Sequence, residues 1–296
     1  LGYRQAVLGL KARRMTQQQP TPPAHISSPL RPEGSCPVCL GMNLKRNRIT
    51  VRPSDTEWLY SVRGSLSGRR AFILGCGPSL NLHPPALISR LRDEATFATN
   101  FLGNWSGLTF QPSYWCASEE DWAARIEGSV LDWERRSGLV PSSTVRVYAK
   151  NRFPATLDSE PLRAWRRVHV EGSMFVKDGF LGGVNEYRIS GNPHFAFSGS
   201  SVVVDCALQL ALWLGADPVY LLGVDAQDAL RHAYDRDDRG EGSQARTAGE
   251  GGKWQVLIDA VAQAWETAAL AGHRVINLSP ASALTVPRMT LEETLR

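Results

Sequence analysis

Seven short apolar runs constrain the fold of this chain more than any other feature. Each has the length of a β-strand, and several end in glycine or a small polar residue. Helix-like stretches separate most of them, a pattern typical of a parallel sheet covered on both faces. We therefore predict an α/β fold with a mostly parallel, Rossmann-like sheet and helices on both faces. The runs are RAFILG, ATFATN, SYWCAS, VRVYAK, RVHVEG, PVYLLGVD and HRVINLS, at 70–75, 95–100, 113–118, 145–150, 167–172, 218–225 and 273–279.

Four stretches between these runs have helical character. The first, EWLYSVRGSL, leads to Gly68, and the second, PPALISRLRD, has prolines where a first helical turn tolerates them. The third, SVVVDCALQLALWLG, is a long apolar helix closed by Gly215. The fourth, KWQVLIDAVAQAWETAALAG, repeats apolar residues at helical spacing and ends at Gly272.

The first part of the chain differs in composition from the rest. Residues 16–35 are rich in Pro, Ser and Gln and resemble a linker. We therefore divide the 296 residues into an irregular, basic N-terminal segment, 1–52, and a Rossmann-like α/β domain, 53–296. The basic segment is either solvated or makes a weak contact with a membrane surface or a protein. We expect no specific nucleic-acid binding.

Cysteine usage and hydropathy bear on the compartment. The five cysteines are odd in number and scattered, which fits a reducing environment. No apolar run reaches the length of a membrane span, and the start lacks the pattern of a signal peptide. We expect a cytoplasmic protein.

The pair Cys36 and Cys39 forms a C-x-x-C knuckle, a candidate for half of a zinc site, a redox pair or half of an intermolecular site.

Small and polar residues follow the predicted strands, where parallel sheets bind their ligands. The first such loop, GCGPSLN, contains Gly75, Gly77, Pro78 and Ser79. Glycines allow a phosphate to approach backbone amides closely, and Ser79 could bond that phosphate or cap a helix. A tight turn without a ligand is the alternative. The loop lacks both the dinucleotide fingerprint and the lysine of a P-loop.

A second candidate lies at the entry of the long apolar helix. Ser198, Gly199 and Ser200 precede it, and small hydroxyl residues at a helix N-terminus can hold a phosphate or carboxylate. Ordinary N-capping by one serine is the alternative.

Two further strand ends provide polar side chains. Asn100 follows ATFAT, and Asp225 follows PVYLLGV with Asp228 close behind. A carboxylate there can hold a ribose hydroxyl, orient a catalytic group or bind magnesium, or it can simply cap a helix. His232 lies beyond this end and is a candidate general base, with an exposed loop histidine of no special role as the alternative. The polar, glycine-rich loop 236–252 is a lid or a flexible loop.

In chain order, these segments resemble a known family. GRRAFILGCGPSLN, ATFATNFL, PSYWCAS, FSGSSVVVDCALQLALWLGADPVYLLGVDAQ, HAYD and VINLSPASALTVPRMTLEETL are similar to the 6-hydroxymethylpterin diphosphokinase MptE-like family. The order also resembles that of bacterial lipooligosaccharide sialyltransferases, although Cys76 stands where those enzymes commonly have Asn. The resemblance covers roughly residues 68–296.

The sialyltransferase resemblance implies that a cytidine nucleotide binds near Gly75, Gly77, Pro78, Ser79 and Asn100. It implies that Ser198 and Gly199 lie near the nucleotide and that His232 deprotonates the acceptor hydroxyl. The MptE-like resemblance implies ATP with magnesium, held by Asp225 and Asp228.

Three functions follow as hypotheses. The first is sugar transfer from a CMP-type nucleotide-sugar donor to a glycan hydroxyl, with His232 and Asp225 as catalytic residues and a role in bacterial surface glycans. The second is ATP- and magnesium-dependent diphosphate transfer to a pterin-like alcohol. The third is a non-catalytic nucleotide-binding scaffold.

Overall fold

A computed structural model describes most of the predicted domain. The described residues are 52–118, 123–139, 143–150, 162–169, 171–172, 197–198, 201–226, 232–234, 251–280 and 282–296. All of them belong to one compact unit, Ser35–Arg296. Several predictions lie outside the described residues: the N-terminal segment except Arg52, the Cys36–Cys39 knuckle, Gly199, Ser200, Asp228 and residues 236–250 of the predicted loop 236–252. The last two residues of that loop, Gly251 and Gly252, begin a helix instead.

The predicted α/β fold is confirmed. Seven strands form one sheet in the order β5-β4-β3-β2-β1-β8-β9, and every neighbouring pair is parallel. Two short strands, β6 and β7, form a separate parallel pair. The bounds are β1 Ala71–Leu74, β2 Ala95–Thr99, β3 Tyr114–Ala117, β4 Val145–Lys150, β5 Arg166–His169, β6 Glu171–Gly172, β7 Phe197–Ser198, β8 Val219–Leu222 and β9 Val275–Asn277.

Helices cover both faces of this sheet. The α-helices are α1 Pro53–Ser61, α2 Pro85–Ser89, α3 Ala123–Ser137, α4 Gln209–Trp213, α5 Gly251–Leu270 and α6 Leu291–Thr294. A π-helical segment, Val203–Leu208, runs directly into α4. Shorter 3₁₀ segments are Pro78–Leu82, Arg90–Asp93, Asn100–Asn104 and Leu162–Ala164.

The pleat of each strand distributes its side chains between two buried clusters. Ala71 and Ile73 belong to one cluster, with the π-helical segment, α4 and α5. Phe72 and Leu74 belong to the other, with α3 and α6. Because successive strand side chains point to opposite faces, a strand with two buried faces must be apolar throughout. This explains the continuous apolar runs.

Two details of the predicted elements are wrong. The first helix ends at Ser61 rather than near Gly68, because Gly64 takes a φ of +71° and its N–H bonds to the carbonyl of Trp213. The run RVHVEG is divided between β5 of the main sheet and β6 of the small one. The long apolar helix is confirmed, and its first part is π-helical, a detail that local propensity does not encode. Helix α3 is an additional element that the sequence pattern did not predict.

Candidate functional site

The sheet reverses its strand order beside β1. From β1 the chain builds β2 to β5 toward one edge, and it later returns to add β8 and β9 on the other side. In open parallel sheets, ligands bind in the crevice at the carboxyl ends of the strands where the order reverses. Leu74 pairs with Ala98 of β2 and with Leu222 of β8. The loops that follow these three strands therefore meet at one level.

The loop after β1 packs directly against the loop after β8. The N–H of Gly75 donates to the carbonyl of Leu222 at 2.8 Å, and the N–H of Gly77 donates to that of Gly223 at 2.8 Å. A Cβ at Gly75 would lie 2.3 Å from the oxygen of Gly223, and one at Gly77 would lie 2.5 Å from Oδ2 of Asp225. This contact between two loops already requires both glycines, without a ligand.

Ser79 and Asp225, predicted separately from the sequence, bind each other. The backbone N–H of Ser79 donates to Oδ2 of Asp225 at 2.9 Å, and its hydroxyl donates to Oδ1. Both residues are buried, at 2% and 6% exposure. A buried carboxylate needs such donors to offset its lost hydration. The pair therefore ties the loop after β1 to the end of β8.

The segment after β9 holds the backbone that follows β8, just before this carboxylate. The hydroxyl of Ser279 accepts the N–H of Val224 at 2.9 Å, and the hydroxyl of Ser282 donates to the Val224 carbonyl at 2.7 Å. The N–H of Ala283 donates to the carbonyl of Asp225 at 2.8 Å. Both backbone groups of Val224 are therefore paired, which fixes the position from which the Asp225 side chain extends.

Two strained residues flank the loop after β1. Asn100 after β2 has a φ of +41°, and Ala226 after β8 has a φ of +50°. Within the described ranges they are the non-glycine residues with positive φ. In addition, the side-chain Oδ1 of Asn100 is buried without a hydrogen-bond partner among the described residues. Strained backbone and unpaired buried polar atoms concentrate at functional sites.

The half-buried thiol of Cys76 lies between the ends of β1 and β2. It donates to the carbonyl of Thr99 at 3.3 Å, and the hydroxyl of Thr99 donates to the carbonyl of Leu74 at 2.8 Å. Cys76 therefore contributes to the contact between neighbouring strand ends.

His232 lies at the same crevice. The N–H of its neighbour Ala233 donates to the carbonyl of Cys76 at 2.9 Å, and the imidazole stacks on Tyr234 with ring centroids 5.0 Å apart. The side chain of Asn81 completes this attachment by donating to the carbonyl of Ala233 at 2.8 Å. Asn81 is not among the predicted site residues, although it directly follows the motif G-x-G-P-S-L.

The π-helical segment and α4 end shortly before the first residue of β8, at the amino ends of the strands. The entry of this helix therefore lies at the opposite edge of the sheet, with the carboxyl ends of the strands. Ser198 is placed at the end of β7, and the helical segment begins only after Ser201. The hydroxyl of Ser201 is buried and has no partner among the residues that the structure describes.

The structure thus brings together Gly75, Gly77, Ser79, Asn100, Asp225 and His232, and Pro78 begins the 3₁₀ segment of the loop.

Among the described residues, no cluster of three or more His, Cys, Asp or Glu could hold a metal ion. No helix in the described part of the chain is both long and apolar enough to cross a membrane.

Comparison with known proteins gives only distant similarities. No family model and no curated protein matches the chain, so membership of the MptE-like family stays a prediction. Similar solved structures include the MAf glycosyltransferase from Magnetospirillum magneticum AMB-1, with a TM-score of 0.46 and 15% identity, covering 82% of this chain and 39% of that one. This chain therefore spans well under half of the length of that protein.

The sialyltransferase CstII from Campylobacter jejuni, solved with CMP-3FNeuAc, has a TM-score of 0.45 and 12% identity over 75% of this chain and 86% of its own. A sialyltransferase CST-II structure with a trisaccharide acceptor and CMP has a TM-score of 0.42 and 15% identity over 73% and 83%. Similarities of this size carry no argument about activity.

Proposed function

We propose that this chain is a nucleotide-dependent glycosyltransferase that moves a sugar from a CMP-type donor to a hydroxyl of a glycan acceptor. The nucleotide lies in the crevice at the carboxyl ends of β1, β2 and β8. The order of the motifs, which resembles that of the sialyltransferases, motivates the choice of donor.

The main support is the state of Asn100. Its backbone is strained and its buried Oδ1 is unpaired among the described residues, next to the point where the strand order reverses. A left-handed Asn costs free energy, and so does a buried carbonyl oxygen without a donor. A ligand with amino or hydroxyl donors, such as a cytosine ring or a ribose, would remove the second cost.

In this proposal, the acceptor hydroxyl attacks the anomeric carbon of the donor sugar. A new carbon–oxygen bond forms, the bond from that carbon to the phosphate oxygen breaks, and the hydroxyl proton moves to His232. CMP leaves with the bonding electrons. The helix that begins after Ser201 directs its N-terminal N–H groups toward this edge of the sheet, where they stabilise the charge on the leaving phosphate.

The roles of Ser79 and Asp225 in this mechanism are indirect. Their donors and acceptors already bind each other. We infer that Asp225 acts by fixing the loop after β1, and not by direct contact with the reacting atoms.

The test is the Asn100→Gly variant in a binding assay with CMP in the absence of magnesium. Glycine adopts a positive φ without strain, so the variant keeps the backbone while it loses the amide. We expect thermal stability equal to or above that of the wild type, and CMP affinity at least tenfold lower. Isothermal titration calorimetry measures the affinity, and a thermal melt measures the stability.

Three results would contradict this proposal in different ways. If the wild type and Asn100→Gly bind CMP with equal affinity, the Asn100 side chain does not contact the nucleotide. Stabilisation of the wild type by ATP only with magnesium would favour diphosphate transfer. Binding of CMP without turnover of a CMP-sugar across a panel of glycan acceptors would favour the scaffold.

A further inference from the structure

The segment that contains His232 is attached to the loop after β1 by two hydrogen bonds, both made by the backbone of Ala233. The N–H of Ala233 donates to the carbonyl of Cys76 at 2.9 Å, and the carbonyl of Ala233 accepts from Nδ2 of Asn81 at 2.8 Å. Both backbone groups of Ala233 are therefore bound by residues of one loop. The attachment places His232 and Tyr234 on either side of a fixed residue.

The orientation of the Asn81 amide follows from the chemistry of its two partners. The indole N–H of Trp105 can only donate, and it lies 2.8 Å from Oδ1 of Asn81. The carbonyl of Ala233 can only accept, so it requires the NH₂ group. The buried Trp105 therefore directs the donor side of the amide toward the segment 232–234.

We propose that Asn81 is a positioning residue that holds His232 over the loop after β1. Its effect on the reaction rests on the proposed function, in which His232 accepts the proton of the acceptor hydroxyl. The attachment itself does not depend on that function. General bases act only within hydrogen-bond reach of the proton they remove, so a displaced segment removes the base without removing the nucleotide site.

The first experiment compares Asn81→Asp with the wild type by hydrogen exchange of the Ala233 amide. Aspartate keeps the shape and the acceptor for Trp105, but it places an oxygen opposite the carbonyl of Ala233. The loss of one hydrogen bond changes the equilibrium constant between the attached and the detached segment by about tenfold. We therefore expect the Ala233 amide to exchange about tenfold faster in the variant. The matched control is Asn104→Asp, which makes the same chemical change at an exposed residue.

The second experiment examines the His232 ring and the reaction. We expect the contact between the imidazole and Tyr234, seen as cross-relaxation between their ring protons in NMR, to weaken in Asn81→Asp. In a transfer assay with a CMP-sugar, we expect kcat to fall by up to about tenfold, because the fraction of molecules with His232 in place cannot fall by more than the shift in the attachment, while the Kd for CMP stays within twofold. A merely structural role would change both constants together.

The outcomes separate this inference from the proposed function. An Ala233 amide that exchanges at the wild-type rate in Asn81→Asp overturns the positioning role, even if the wild type transfers sugar. Faster exchange in a protein that binds no nucleotide supports the attachment and rejects the function. If Asn81→Asp does not fold, Asn81→Ala removes the same donor without adding charge, and the same exchange criterion applies.

Discussion

Replacement of Ser79 with Ala tests the contact that joins the two halves of the candidate site. The change removes the hydroxyl that donates to Oδ1 of Asp225, and it leaves the 2.9 Å bond from the Ser79 N–H to Oδ2 in place. Because both side chains are buried, water does not replace the lost donor without rearrangement. The carboxylate then has one donor fewer in a region of low polarity.

The expected cost follows from the charge of the acceptor. A hydrogen bond to a charged group contributes about 1.5–3 kcal/mol to stability. We expect the free energy of unfolding to fall by about 2 kcal/mol and the Tm to fall by about 4–8 °C for a domain of this size. Urea unfolding followed by tryptophan fluorescence measures the former, and calorimetry measures the latter.

A double-mutant cycle isolates the charged bond. In an Asp225→Asn background, the hydroxyl of Ser79 meets a neutral amide, so Ser79→Ala should cost only about 1 kcal/mol. The control is Ser106→Ala at an exposed serine, with an expected change within about 0.5 kcal/mol. Equal effects of Ser79→Ala in both backgrounds, or an effect no larger than the control, would refute the assignment.

Two further predictions concern glycines and pH. Gly77→Ala should lower the free energy of unfolding by more than about 2 kcal/mol, because its Cβ would meet Oδ2 of Asp225 at 2.5 Å. In contrast, Gly128→Ala within α3, where a Cβ meets nothing within 4 Å, should raise it by about 0.5–1 kcal/mol, and a reversed order in denaturant unfolding would contradict this. Burial lowers the pKa of His83, although Glu292 and Asp225 act in the opposite direction. The unfolded state thus binds a proton more readily than the folded state, so the free energy of unfolding falls as pH drops below about 6.5. In His83→Gln, we expect the free energy of unfolding, measured by urea titration at several pH values, to depend less on pH in this range.

The strands were predictable because burial on both faces leaves an unmistakable apolar signature. Glycines that stop helices were equally visible: Gly215 and Gly272 take φ values of +81° and +83° at the ends of their helices. The end of the first helix is not predictable in this way, because it depends on a distant partner, the carbonyl of Trp213, which accepts from the N–H of Gly64. Local sequence cannot encode such a contact.

The candidate site was predictable as a set of strand ends, but its internal contacts were not. The sequence explains Gly77 by the close approach of a ligand, whereas in the structure its Cβ position faces Asp225. Ser79 and Asp225 were assigned separate roles, since nothing in the sequence indicates that residues 146 positions apart bind each other. Asn81 was missed for the same reason, because its partner Ala233 lies 152 positions away.

The strand order also has a consequence for the nascent chain. The loop after β1 leaves the ribosome early, yet its glycines, Ser79 and Asn81 find their partners only after β8 and the segment 232–234 have been synthesised. Val224 and Asp225 in turn require the still later segment 279–283. Closing such long-range contacts costs chain entropy before they contribute stability. We therefore expect the crevice to form only after the whole sheet has been assembled.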